Sequence, residues 1–317
     1  MFTLSHVRTV CALTLSLTVS GLTHAAYSKV ISFGDSLSDV GNVYTATALA
    51  PGGPTPGAPY FNGRFSDGPV WVETLATGLG LSPATASLLG GDNYSWGGAR
   101  VSDNSSVPSV QAQIGAVGVT GSYFDNTGGV ADPNALYTVL IGGNDINAVD
   151  GSTYTTTDLQ NDALAVANSV NALIAAGAES VLVGNVPDLG GAPVCDGFEA
   201  TCTGATNLFN GYLSAGLAGV DPSKLIFLDL FTIGQDIQAD LAGNGFTNGD
   251  ANCLDTAYTG PGSCDTYVFW DTLHPTGTAH EIIGDAAVAA AVPVPAALPL
   301  MLSALMGLGA IKRARKA

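Results

Sequence analysis

Basic residues are scarce in this chain. Only 9 of its 317 residues are Lys or Arg, against 26 Asp and Glu, and Arg8, Lys312, Arg313, Arg315 and Lys316 all lie near the two ends. The stretch between them carries 4 basic and 26 acidic residues, a net charge of −22. Such a field repels phosphate backbones and anionic lipid headgroups, which argues against nucleic acid as a partner and leaves neutral or zwitterionic ligands open. Histidine is scarcer still, with only His6, His24, His274 and His280. Gly34-Asp35 with Asp39, followed by Gly143-Asn144-Asp145, faintly suggests a two-metal phosphoesterase, but such a site needs several histidine ligands. No metal and no cofactor is expected.

Cysteine is sparse too, and its placement is informative. Cys11 sits in an apolar stretch behind Thr9-Val10, which lacks the small residue that a lipoprotein attachment cysteine wants. The other four form two close pairs, Cys195 with Cys202 and Cys253 with Cys264. In an oxidising compartment such pairs bridge, and neither has the spacing or the nearby histidine of a zinc site. Two local disulfides are therefore expected. Charged residues make up 11% of the chain and apolar ones 46%, which is the balance of a compact domain with a sizeable core rather than of a disordered polymer.

Both ends read as targeting segments. Residues 1–25 combine Arg8, an apolar run from Val10 to Leu22 and the small-residue end Thr23-His24-Ala25, the layout of a secretory signal peptide. Residues 292–311, VPVPAALPLMLSALMGLGAI, carry no charge before the terminal KRARKA. Twenty helical residues span about 30 Å, enough for a hydrocarbon core, and the basic end would stay cytoplasmic with the domain outside. This tail resembles the PEP-CTERM sorting signals of Gram-negative bacteria in their VPLPA variant, with Val294 in place of Leu. The resemblance implies a transient membrane anchor cut by a sorting transpeptidase. A permanent single-pass anchor is the alternative. The domain layout is thus signal peptide 1–25, one catalytic domain 26–291 and a tail 292–317, with the protein exported to the periplasmic side, the cell surface or the medium.

Within the domain, the apolar runs Val30–Phe33, Asn93–Trp96, Leu136–Ile141, Ser180–Val183 and Leu225–Leu228 read as strands. The spacing of apolar residues predicts helices over Thr157–Ala176 and Thr276–Ala290. Strands alternating with helices predict an α/β fold, a doubly wound parallel sheet in three α/β/α layers. The Gly/Pro-rich stretch 51–68 and the cysteine segments 191–204 and 243–266 break the rhythm and are expected as surface loops. Glycine is abundant, 41 residues, yet follows no fixed period.

The chemistry-bearing residues cluster where strands end. The first strand runs into Gly34-Asp35-Ser36-Leu37-Ser38-Asp39, the second ends at Gly97-Gly98, and the third at Gly142-Gly143-Asn144-Asp145. In doubly wound sheets that edge binds ligands. Taken alone, Ser36 reads better as a helix N-cap with Asp39 three residues on, and a turn role for Asn144 and Asp145 or a packing role for Gly98 is the lesser alternative.

Together these blocks resemble the GDSL or SGNH hydrolase family. Ser36 matches its GDS serine, Gly98 its glycine block, Asn144 its GxND asparagine, and Asp271 with His274 its aspartate three residues before a histidine. The resemblance spans roughly residues 30–290 and implies a flavodoxin-like fold and an esterase or lipase. It assigns Ser36 as nucleophile, His274 as general base and acid, and Asp271 as the group that orients the imidazole. The Ser36 and Gly98 amides and the Asn144 side chain would form the oxyanion hole. Phe61-Asn62-Gly63-Arg64-Phe65 resembles a segment of longer family members and is expected in the pocket wall, while His280 is expected as a surface or packing residue. Two other readings remain: a carbohydrate O-deacetylase using the same residues, and a non-enzymatic surface or matrix protein suggested by the tail and the acidity. The partner implied is a small-molecule or lipid ester.

Overall fold

The structure is a computed structural model that describes residues 27–149 and 151–292. The stretch 1–25 expected as a signal peptide and nearly all of 292–317, expected as a sorting tail with Val294 in its motif, lie outside the described residues. Among the described residues no helix is long and apolar enough to cross a membrane.

Four strands, β1 (Val30–Gly34), β2 (Leu136–Leu140), β3 (Val181–Gly184) and β4 (Leu225–Leu228), form one parallel sheet in that order. Residues of β1, β2 and β3 are buried throughout and mostly apolar because a parallel sheet is covered on both faces, whereas β4 at the edge leaves Phe227 exposed. Alternate side chains part to opposite sides. Ile31, Phe33, Tyr137, Val139, Val181 and Val183 enter one buried cluster, whereas Val30, Leu136, Leu140 and Leu182 enter another.

The helices in chain order are α1 (Asn42–Thr47), α2 (Trp71–Gly78), α3 (Val110–Ile114), α4 (Tyr123–Thr127), α5 (Gly143–Asn147), α6 (Thr156–Ala175), α7 (Glu199–Leu217), α8 (Leu230–Ala239), α9 (Cys253–Thr256) and α10 (Gly277–Ala291). The first sheet face packs against α6 and α7 through Leu159, Val166, Val170, Phe209 and Leu213. The second packs against α2 and α10 through Trp71, Leu75, Ile283 and Ala287. The result is the three-layer α/β/α arrangement expected from the alternation of strands and helices. Helix α6 starts on a reciprocal cap, in which the Thr155 hydroxyl accepts from the Asp158 amide and the Asp158 carboxylate accepts from the Thr155 amide.

Three expectations need correction. Residues 93–96 lie parallel to β1, with the Tyr94 amide donating to Ser32 O at 2.7 Å and the Trp96 amide to Gly34 O at 3.0 Å, but they do not form a regular strand. Their outer edge is occupied by side chains and a loop: Asn93 O accepts from the Ser87 amide and Asn42 Nδ2, and Ser95 O accepts from Asn42 Nδ2. The segment 191–204 is not all loop, because α7 starts at Glu199 and contains Cys202. The segment 243–266 likewise holds β5 (Asn248–Asn252), paired with β6 (Tyr267–Phe269), and the short α9. Both cysteine pairs are bonded, Cys195 to Cys202 and Cys253 to Cys264.

Candidate active site

At the carboxyl end of β1 the chain turns at Gly34, where a side chain would come within 2.2 Å of Leu140 O. The turn that follows is closed by the Ser38 and Asp39 amides donating to Asp35 O, both at 3.0 Å. Asp39 then pins the turn from below. Its buried carboxylate accepts from the amides of Gly41 (2.7 Å), Asn42 (2.6 Å), Val43 (3.2 Å) and Gly97 (2.9 Å), which ties the serine turn to the Gly97-Gly98 turn. Ser36 is thereby held at the sheet edge, 5% exposed.

The second half of the site comes from the turn between β6 and α10. Asp271 Oδ1 accepts from the amides of Leu273 at 2.8 Å and His274 at 2.7 Å, the self-closing turn that Asp favours. Asp271 Oδ2 lies 2.7 Å from His274 Nδ1, and His274 Nε2 lies 2.8 Å from Ser36 Oγ. Residues 238 apart in the chain thus form one unbroken hydrogen-bonded line. Burial alone would raise the Asp271 carboxyl, but the hydrogen bond and charge of His274 and the two amides outweigh it and hold the group at about 2.

The turn at Gly98 is joined to the Asn144-Asp145 turn through Ala99 and Val101. Asn144 Nδ2 donates to Ala99 O at 2.9 Å, and the Val101 amide points at both Asp145 oxygens at 3.3 Å. Gly98 takes a left-handed φ of 81°, which a glycine adopts without strain. A cavity of about 360 Å³ opens beside Ser36 and His274. Asn144 lines it and Gly98 does not. Its walls are mostly apolar, with Leu37, Leu230, Ile233, Ile237, Phe269 and Ile283 prominent.

The Phe61–Phe65 segment is not part of the cavity wall, contrary to expectation. Arg64 turns away to Glu73, with Nη2 2.7 Å and Nε 3.2 Å from the two carboxylate oxygens, and Phe65 packs against the His274 ring at 5.3 Å. The reason is electrostatic and steric: Glu73 is half of a pair that would otherwise be buried alone, and Phe65 fills the space over Gly97, where a side chain would meet its ring at 2.2 Å. His280 is the packing residue of the two alternatives expected, fully buried, and its Nδ1 accepts from the Trp71 amide at 3.4 Å. Burial, then the neighbouring His274, pushes it down to about 3, so it stays neutral. Sequence reasoning missed Tyr60, whose hydroxyl donates to Asp271 Oδ2 at 2.8 Å. It sits in the Gly/Pro-rich loop, where no periodicity or motif marks it. Among the described residues no group of three or more His, Cys, Asp and Glu side chains is placed to hold a metal ion.

Residues 30–287 match the model of the GDSL-like lipase/acylhydrolase family. The chain belongs to that family. It is 34% identical over 201 residues to Lipase 1 of Photorhabdus luminescens, which covers 61% of this chain and 27% of that protein. To a phosphatidylcholine-sterol acyltransferase of Aeromonas hydrophila it is 32% identical over 188 residues, 58% of this chain and 52% of the relative. To a GDSL esterase/lipase of Arabidopsis thaliana it is 27% identical over 308 residues, 82% and 90% of the two chains. The match therefore spans about half or less of the first two relatives and most of the third.

Proposed function

We propose that the domain at 26–291 is a serine hydrolase that cleaves carboxylic esters. The observation that carries this reading is the line from Asp271 through His274 to Ser36, set beside an apolar cavity. Ser36 Oγ attacks the ester carbonyl while His274 Nε2 takes its proton, giving a tetrahedral oxyanion. The imidazolium, held against Asp271, returns that proton to the departing alcohol and leaves an acyl-enzyme on Ser36. Water then enters by the same route, with His274 again as base, and releases the acid. The Ser36 and Gly98 amides and the Asn144 amide group serve the oxyanion. Asn144 Nδ2 carries two hydrogens, of which one goes to Ala99 O.

The cavity favours a fatty acyl group over acetyl. Its volume of about 360 Å³ falls at the low end for ligand pockets. That space and its apolar walls suit an alkyl chain better than a two-carbon group. The chain-length series of p-nitrophenyl acetate, butyrate, octanoate and palmitate tests this. Highest kcat/KM on butyrate or octanoate is the expected result. A preference for acetate would move the reading to a carbohydrate O-deacetylase, and no turnover of any ester to a surface-binding protein.

The sequence patterns at the two ends support export with residues 1–25 removed, and membrane retention through 292–311 until a sorting transpeptidase acts on the tail. Mass spectrometry of protein recovered from the native cell envelope tests the cut. An intact KRARKA terminus would contradict it.

A further inference from the structure

The Gly/Pro-rich loop 51–68 runs along the turn that carries Asp271 and His274 and touches it at successive points. Tyr60 Oη donates to Asp271 Oδ2 at 2.8 Å, the Phe65 ring covers the His274 ring at 5.3 Å, Ser66 Oγ donates to Pro275 O at 2.9 Å, and Asp67 accepts from the Gly277 amide at 2.7 Å. A loop with no role beside the site has no reason to be fastened to it residue after residue.

Tyr60 is the contact that reaches a reacting group. Asp271 Oδ2 already takes the His274 Nδ1 proton at 2.7 Å, so the tyrosine shares that oxygen, while Oδ1 is held by the Leu273 and His274 amides. The carboxylate is thus fixed at both oxygens, and its rotation would break four hydrogen bonds at once. The tyrosine ring is itself fixed. It packs edge-on against Trp270 at 5.6 Å, and Trp270 packs against Tyr258 at 5.2 Å in a small cluster that includes the Cys253–Cys264 bond. Burial, then the Asp271 charge, raises the phenol above its ordinary value, so it keeps its proton and acts as a donor throughout the working pH range.

Resting on the serine-hydrolase reading above, we infer that Tyr60 is a positioning residue for the reaction: its hydroxyl holds Asp271 Oδ2 in line with His274 Nδ1. It does not touch substrate and moves no proton. Its contribution is to keep the carboxylate from swinging as the imidazole charges and discharges, which is a kcat effect and not a binding one.

The test uses the full chain and the variants Tyr60→Phe, Tyr60→Leu and Ser36→Ala on p-nitrophenyl butyrate. Tyr60→Phe keeps the ring and its packing and removes only the donor. Its kcat is expected to fall about tenfold with KM within twofold, since a hydrogen bond to a charged group is worth about that much. The low-field proton resonance of His274 Nδ1 should also shift, because Oδ2 is no longer shared. Tyr60→Leu, which also empties the ring site, should lose thermal stability as well. A Tyr60→Phe kcat within twofold of the unsubstituted chain overturns the inference, and so does a fall in kcat with an unshifted resonance, which would trace the loss to packing. Ser36→Ala separates this failure from that of the wider reading. Full activity there would reject the serine mechanism itself, whereas a dead Ser36→Ala beside an unaffected Tyr60→Phe rejects only the role of Tyr60.

Discussion

Replacing Asp271 with asparagine changes one atom and, on this geometry, traps the histidine. The two backbone amides at 2.8 and 2.7 Å require an acceptor at the Oδ1 position, so the asparagine oxygen settles there and its NH₂ takes the Oδ2 position. That NH₂ then donates to His274 Nδ1, which lies 2.7 Å from the present oxygen. With Nδ1 accepting, the ring proton moves to Nε2, which faces Ser36 Oγ at 2.8 Å and no longer accepts the serine proton. Loss of the correct tautomer in a serine triad lowers kcat by about 10⁴, or roughly 5.5 kcal/mol. Steady-state ester hydrolysis near pH 8 reads the effect, with the burst of acyl-enzyme formation as a second measure. The fold should survive. The carboxyl held at about 2 contributes about 2 kcal/mol of stability. That contribution is present above the ordinary carboxylate range and lost as pH falls through 2, so the variant should unfold earlier at neutral pH without collapsing. Activity within tenfold of the unsubstituted chain would refute the reasoning, since the amides could not then be dictating the asparagine orientation.

Two further outcomes follow from buried groups. Burial, then the Asp162 charge, pushes the Asp145 carboxyl up to about 7, so the folded chain binds a proton that the unfolded chain releases near 4. Its ionisation therefore costs stability increasingly as pH rises from about 4 to about 7. Asp145→Asn should raise the thermal midpoint above pH 7, by an amount equivalent to roughly 2–4 kcal/mol, and leave it unchanged below pH 4; a pH-independent difference would contradict the assignment. Gly97→Ala places a methyl group 2.2 Å from the Phe65 ring. Overpacking of this kind costs about 1–3 kcal/mol, and because Phe65 covers His274, a fall in kcat should accompany the lower denaturation midpoint.

What the sequence revealed and what it hid follow from the range of the forces involved. The strands at 30–34, 136–140 and 181–184 are legible within one or two residues because burial on both faces leaves largely apolar runs, and the edge strand 225–228, though partly exposed, is apolar throughout. The helices α6 and α10 were displaced by one residue from the periodic stretch, their ends being set by the Thr155 and Thr276 caps. Ser36, Asp271 and His274 could be singled out because each stands in a short motif at a strand end. Tyr60 could not. Its link to Asp271 spans 211 residues and depends on how a loop folds back, which no local pattern encodes. The Arg64 guanidinium leaves the cavity wall for a related reason, as Glu73 nine residues on is a partner that only the turn into α2 brings close. Residues 93–96 had the composition of a strand and the neighbour of one, but Asn42 and Ser87 claim the outer edge.

The most direct test is the hydrolysis of p-nitrophenyl butyrate by the chain and by Ser36→Ala at equal concentration of folded protein. Turnover by the former and a loss of about 10³-fold or more in the latter is the predicted result. Equal turnover by both, or none by the unsubstituted chain on any ester of the series, would contradict the claim that Ser36, His274 and Asp271 act together as a hydrolytic triad.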